Sequence, residues 1–170
     1  MAQHRLRVAL DANVLIAGIL LPRWPHEVLQ SSFGDFFDLV LPVQVVVEAG
    51  RHLTTPAQTE ALQFFLDSCH YQELPMPGVA EVRSNLDLVR SEKDVPIAVA
   101  LLDGDVDIFV SSDRDFTDPT ATAERFQARV RVMLPAVFLR DALGWSSAAL
   151  ESIRTRTWAD LLHAPDSGDR

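Results

Sequence analysis

An α/β fold with a mostly parallel sheet is predicted by three observations. Short apolar runs rich in β-branched residues alternate with segments whose apolar residues recur every three or four positions, the pattern of crossover-connected parallel strands. The run IFVSS at 108–112 is apolar without alternation at its start, as in a strand covered on both faces. Two aspartates, Asp11 and Asp113, follow such runs closely, at the carboxyl edge where open α/β sheets hold their ligands.

Taken in order, residues 6–10 (LRVAL) form the first strand, ended by Asp11, and residues 14–21 continue as a helix or turn closed by Pro22. Residues 25–32 read as a helix and 36–41 (FFDLVL) as a second strand. In VQVVVEAGRHL the β-branched residues favour a strand, but Val43, Val46, Val47 and Gly50 recur at helical spacing. Length, and Pro42 at the first helical position, favour a helix. Residues 56–69 form a helix with Leu62, Phe65, Leu66 and Cys69 on one face. Residues 71–92, with Pro75, Pro77 and Gly78, read as loop. Asp94 stands at an N-cap before the helix VPIAVALL, and Asp107 precedes the strand IFVSS. Residues 129–134 form a last strand and 135–143 a helix. In the tail, Leu150, Ile153, Thr157, Trp158 and Leu161 share one helical face over 145–162, and 163–170 is expected to fray.

A chain of 170 residues with 48% hydrophobic content is long enough for one domain with a real core. No apolar run approaches the ~20 residues that span a bilayer, and Asp11 interrupts the only stretch resembling a secretory signal. The expected location is the cytoplasm, with no membrane partner. The single cysteine, Cys69, excludes an internal disulfide framework and a thiolate metal cage. The net charge of −9 argues against a general polyanion binder, although a cation held by clustered acids reverses the sign locally.

Asp11, Glu48, Asp94 and Asp113 each sit beside an apolar run. A lone buried carboxylate costs several kcal/mol, on the order of the ion's effective desolvation penalty, unless it is paired or binds a cation. Convergence of the four implies a divalent ion. The cluster Asp103, Asp105 and Asp107 superficially suggests a calcium loop, but Ile108 and Arg114 stand where its glycine and glutamate belong, so it reads as a solvated turn. His4, His26, His52, His70 and His163 show no paired arrangement for metal-free acid–base cleavage.

Together these residues resemble the PIN domain (PilT N-terminal domain) family, in particular the VapC-like toxin components of toxin–antitoxin pairs. The resemblance runs over residues 6–143. It rests on D-x-N (Asp11, Asn13), Glu48 on the helix after the second strand, Asp94 opening an alanine-containing helix, S-x-D-x-D-F (Ser111, Asp113, Asp115, Phe116), and VRVMLPAVFL near the end. It implies a three-layer α/β/α fold, a PIN-like nuclease domain over 1–143 and a C-terminal helical extension with a frayed tail over 144–170. By it, Asp11, Glu48, Asp94 and Asp113 are catalytic metal ligands, Asp115 is a fifth ligand, and Asn13 and Ser111 orient the carboxylates. Ser111 stands where threonine is usual and keeps the hydroxyl, and residues 83–93 match poorly.

The activity so implied is Mg²⁺- or Mn²⁺-dependent hydrolysis of RNA phosphodiester bonds. Hard carboxylate oxygens suit these ions better than zinc. Arg114, between two of the aspartates, and Arg51, one turn from Glu48, are candidate substrate contacts. A homodimer and a small antitoxin are the expected partners. The rival readings are a housekeeping RNA-processing nuclease and a non-catalytic RNA-binding or assembly module. An aspartyl-nucleophile phosphatase is disfavoured because Asn13 stands where that chemistry needs a second aspartate.

Overall fold

The computed structural model describes residues 5–163. The elements run β1 (Arg7–Leu10), α1 (Ala12–Leu20), α2 (Trp24–Ser31), β2 (Asp38–Pro42), α3 (Val43–His52), α4 (Pro56–Ser68), β3 (Tyr71–Leu74), α5 (Val79–Arg83) and α6 (Val95–Asp103). They continue with β4 (Ile108–Val110), α7 (Arg114–Thr117), α8 (Glu124–Gln127), β5 (Arg131–Met133), α9 (Pro135–Asp141), α10 (Ser147–Ser152) and α11 (Trp158–Leu162). The five strands form one all-parallel sheet in the order β3-β2-β1-β4-β5. Right-handed crossovers place α1 to α4, between β1, β2 and β3, on one face and α5 to α8, on the returns from β3 to β4 and β5, on the other, while α9, after β5, comes back to the first face against α2. Accordingly α1 packs against α2, α3 and α4, whereas α6 packs with α5 and against β2. This is the three-layer α/β/α architecture implied by the resemblance.

The central strands need cover on both faces because they are apolar throughout. Val8, Ala9 and Leu10 of β1 and Phe109 and Val110 of β4 are completely buried. The order of strands reverses at β1, which has β2 on one side and β4 on the other, so a crevice opens beyond the carboxyl ends of β1 and β4.

Several segments differ from the sequence reading. Residues 71–92 contain β3 and α5 rather than loop alone. β3 is an edge strand whose Gln72 and Glu73 are exposed and whose Leu74 is buried, so it shows no apolar run. The short helices α7 and α8 are too brief to develop a periodic signal. Pro42 ends β2 and caps α3 from outside instead of occupying its first turn. Asp107 is not a free turn residue: its Oδ2 accepts the Arg7 backbone N–H at 2.8 Å and closes the start of β1.

The tail is two short helices rather than one continuous face. Thr157, in extended conformation, starts α11 with a capping box to Asp160, and Ser146 caps α10. Both fold back on α1 and α2: Trp24 Nε1 donates to Leu150 O (2.8 Å), Trp158 Nε1 donates to Leu20 O (2.9 Å), and the Arg156 guanidinium bonds Pro22 O and Glu27. Ile153 is buried. The expected frayed segment lies outside the described residues from 164 onward, as does His4. Among the described residues no helix is long and apolar enough to cross a membrane.

Candidate metal centre

The crevice is assembled from strand ends. The Asp11 N–H donates to Val110 O at 3.0 Å, extending the β1–β4 pairing by one residue and placing Asp11 at the sheet edge. There Asp11 also caps α1: its Oδ1 accepts from Ala12 N (2.8 Å), while Oδ2 accepts from Asn13 Nδ2 (3.1 Å) and from the Ser111 hydroxyl (2.6 Å). Ser111 Oγ in turn accepts from the Asp113 N–H at 3.0 Å, and Asn13 Oδ1 from Ser112 N at 3.3 Å. Asn13 and Ser111 therefore both hydrogen-bond Asp11 Oδ2 and tie β4 to α1.

Asp113 opens α7 as its N-cap, its Oδ1 accepting from Asp115 N at 2.9 Å. Phe116 anchors this short helix in the core with its ring edge-on to Phe109 (centroids 5.0 Å apart) and tilted on Phe126. The phenylalanine that closes the S-x-D-x-D-F motif thus fixes the height of both aspartates above the sheet.

Asp94 ends a 3₁₀ turn over Glu92–Asp94 and precedes α6. It is buried, but it is not the side-chain cap expected from the sequence, because it makes no capping hydrogen bond. The turn holds it in a helical rather than extended conformation (φ −95°, ψ −9°), from which the carboxylate does not reach the first N–H groups. Its Oδ2 is buried without a hydrogen-bond partner. The Gln44 amide, on the first turn of α3, is the other such side chain among the described residues.

Charge links these acids. Burial raises the Asp11 pKa to about 6, the charges of Asp113 and Glu48 push it the same way, and the Ser111 hydroxyl and Ala12 N–H partly oppose them. Burial also raises Asp94, with the Ser91 hydroxyl and Lys93 opposing and Asp113 and Asp115 adding to the rise. Asp11, Asp94, Asp113 and Asp115 therefore border one electrostatic environment. Glu48 is exposed on α3 and reaches Asp11 through its field. Arg51 is exposed in the last turn of α3 and Arg114 is exposed at the start of α7; neither has a salt-bridge partner in the described residues. Arg90 was not legible in the sequence, since it lies in the poorly patterned stretch and only its charge marks it; its Nη2 bonds Asp115 Oδ1.

Among the described residues, no three of these side chains stand close enough as placed to hold a metal ion. Nonetheless the donor set suits a hard divalent cation, being all carboxylate oxygen. The orphaned Asp94 Oδ2 and the upward-shifted Asp11 and Asp94 are both features that a cation would relieve. Among the described histidines, His26, His52 and His163 bond backbone carbonyls through Nδ1.

No protein-family profile and no curated protein sequence matches the chain. Solved structures do share its fold. PAE2754 from Pyrobaculum aerophilum superposes with a TM-score of 0.55 at 16% identity, over 82% of this chain and 97% of that one. FitAcB from Neisseria gonorrhoeae gives 0.51 at 20% identity, over 75% of this chain and 97% of that one. VapBC2 from Rickettsia felis, solved with a DNA fragment from its promoter, gives 0.49 at 13% identity, over 76% and 98%. At these identities the likeness to PAE2754 and FitAcB speaks for the fold alone.

Proposed function

We propose that the chain is a divalent-metal-dependent endoribonuclease, the toxin component of a toxin–antitoxin pair, acting through a carboxylate crevice at the carboxyl ends of β1 and β4. The observation that carries this reading is the buried Asp94 Oδ2 without a partner, in a crevice where the charges of Asp113 and Asp115 also fall on Asp94. Such an arrangement is unfavourable for an empty structural site and favourable for one that takes a cation.

Asp11, Asp94 and Asp113 would hold Mg²⁺ or Mn²⁺, joined by Asp115 and by Glu48 once its side chain turns inward. When bound, such an ion neutralises a phosphodiester, activates water as the nucleophile and stabilises an in-line displacement. The chain's own contribution is positional. Ser111 and Asn13 hold Asp11 by Oδ2 and leave Oδ1, which accepts from Ala12 N alone, with a lone pair to spare; the Asp113 Oδ1 bond to Asp115 N sets the second carboxylate, and Asp94 is buried at the end of the 3₁₀ turn. With its pKa near 6, Asp11 is ionised and ready to ligate at neutral pH.

The nuclease unit is proposed to span 1–143 and the extension 144–170, whose described part, through residue 163, folds back onto α1 and α2. A homodimer is proposed on the resemblance, and exposed Phe64 (68%) and Leu162 (83%) leave apolar surface for association. Ile153 and Trp158 of the extension are spent on intramolecular contact and do not add to that surface. Sedimentation at micromolar concentration tests this, monomer alone counting against it.

The activity test is incubation of the purified protein with structured and single-stranded RNAs, with Mn²⁺ and with EDTA. Cleavage is expected only with metal, leaving 5′-phosphate and 3′-hydroxyl ends, and Asp11→Asn abolishes it with the fold intact. Cyclic-phosphate products that persist in EDTA would overturn the reading.

A further inference from the structure

One cation touches the crevice directly. Arg90 Nη2 lies 2.5 Å from Asp115 Oδ1, with the arginine side chain 64% exposed and the aspartate 20% exposed. The guanidinium therefore reaches in from solvent with most of its donors still facing water. Its backbone is held: Arg90 N donates to Ala121 O at 2.8 Å, and Val89 bridges Thr122 antiparallel. An ion pair with so exposed an arginine contributes little to folding, so stability alone does not account for it.

Two more cations border the same place. Lys93 precedes Asp94 and bears on it, and Arg114 separates Asp113 from Asp115; both are exposed. In a chain of net charge −9 with fifteen basic residues, this gives the most acidic crevice a basic rim. The pairing invites competition, because a divalent ion bound to Asp115 repels the guanidinium and draws off the carboxylate charge that holds it.

We propose that Arg90 is a switching phosphate contact, seated on Asp115 while the crevice lacks a divalent cation and released by cation binding to grip a backbone phosphate of the nucleic-acid substrate. This rests on the reading of the crevice as a metal-dependent nuclease site. The planar fork of a guanidinium matches two phosphate oxygens as well as it matches a carboxylate. A cation that takes over Asp115 frees the Arg90 guanidinium for a phosphate, with the Asp118 carboxylate a remaining neighbour, so metal loading and substrate capture become one step.

The switch gives opposite signs in two measurements, which a structural brace does not. Titrating Mn²⁺ by calorimetry into the RNA-free protein, Arg90→Gln binds the ion several-fold more tightly than wild type, because the internal competitor is gone. In Mn²⁺-dependent cleavage of a labelled single-stranded RNA, the same variant raises KM several-fold with kcat nearly unchanged. The slope of log KM against log salt falls by about one unit, the loss of one phosphate contact. Arg90→Lys, which keeps charge without the fork, lies between the two in KM. Unchanged or weaker Mn²⁺ affinity in Arg90→Gln, or an unchanged salt slope, overturns the proposal while the nuclease reading stands. A wild type that binds Mn²⁺ but cleaves no RNA overturns the nuclease reading and with it the role of Arg90 at phosphate. A wild type that takes up no Mn²⁺ overturns the metal site itself.

Discussion

Asp11 carries a charge that the fold tolerates only in part. Its folded pKa, about 6, lies above the ordinary carboxylate value of 3.8, so ionisation opposes folding: the opposition is absent below about pH 4 and complete above about pH 6. A shift of this size corresponds to about 3 kcal/mol. Asp11→Asn is free of it, so in EDTA the stability of the variant relative to wild type should rise by up to that amount between pH 4 and pH 7, read from urea unfolding at each pH. A flat difference would show that Asp11 is not penalised. Protons and Mn²⁺ seek the same oxygens, so the Mn²⁺-induced rise in wild-type melting temperature should fade as pH falls through 6. Asp94→Asn should melt at or above wild type in EDTA and gain less from Mn²⁺. The structure strengthens that expectation, since Asp94 makes no capping bond to lose. These acids were legible because a carboxylate beside an apolar run is expensive to bury. Arg90 was not, because an exposed arginine in a stretch without periodicity resembles any other surface residue.

At the scale of elements, α7 is four residues long and cannot be stable by itself. It exists because Phe116 is buried against Phe109 and Phe126. Phe116→Ala should therefore destabilise the protein by about 3–5 kcal/mol, the usual range for a buried phenylalanine, and weaken Mn²⁺ binding more than a core truncation equally costly elsewhere, such as Phe138→Ala. Calorimetric titration of both variants well below their melting temperatures checks this; equal Mn²⁺ affinities would mean that α7 holds its place without its anchor. Strands β1, β2, β4 and β5 were legible because three of them are buried nearly throughout and the last abuts a helix opened by Pro135. β3 escaped notice because this edge strand leaves the consecutive Gln72 and Glu73 to water and so has no apolar run. The tail was read as one amphipathic helix since its apolar spacing spans residues 153–157, yet the chain breaks there and Arg156 turns inward to Pro22 O and Glu27. Spacing alone does not reveal an arginine that bonds a neighbouring helix.

At the scale of the whole molecule, every pairing in the sheet joins strands that are parallel and distant in the chain, and the central β1 is bordered by β4. The Asp11–Ser111 hydrogen bond spans 100 residues. Bringing such distant ends together costs about 2 kcal/mol more in chain entropy than closing a ten-residue loop, and contacts of this separation form late. A chain that has been synthesised only as far as α6 already contains Asp11, Glu48 and Asp94, but it has neither β4 nor the Ser111 hydroxyl that aims Asp11. In refolding from urea, helical ellipticity should return before Mn²⁺ uptake, which should wait for the slowest phase. On the proposed nuclease reading, synthesis has its own safeguard: a ribosome-bound fragment that ends before β4 holds most of the acids without the Ser111 hydroxyl, and would not cut the RNA around it.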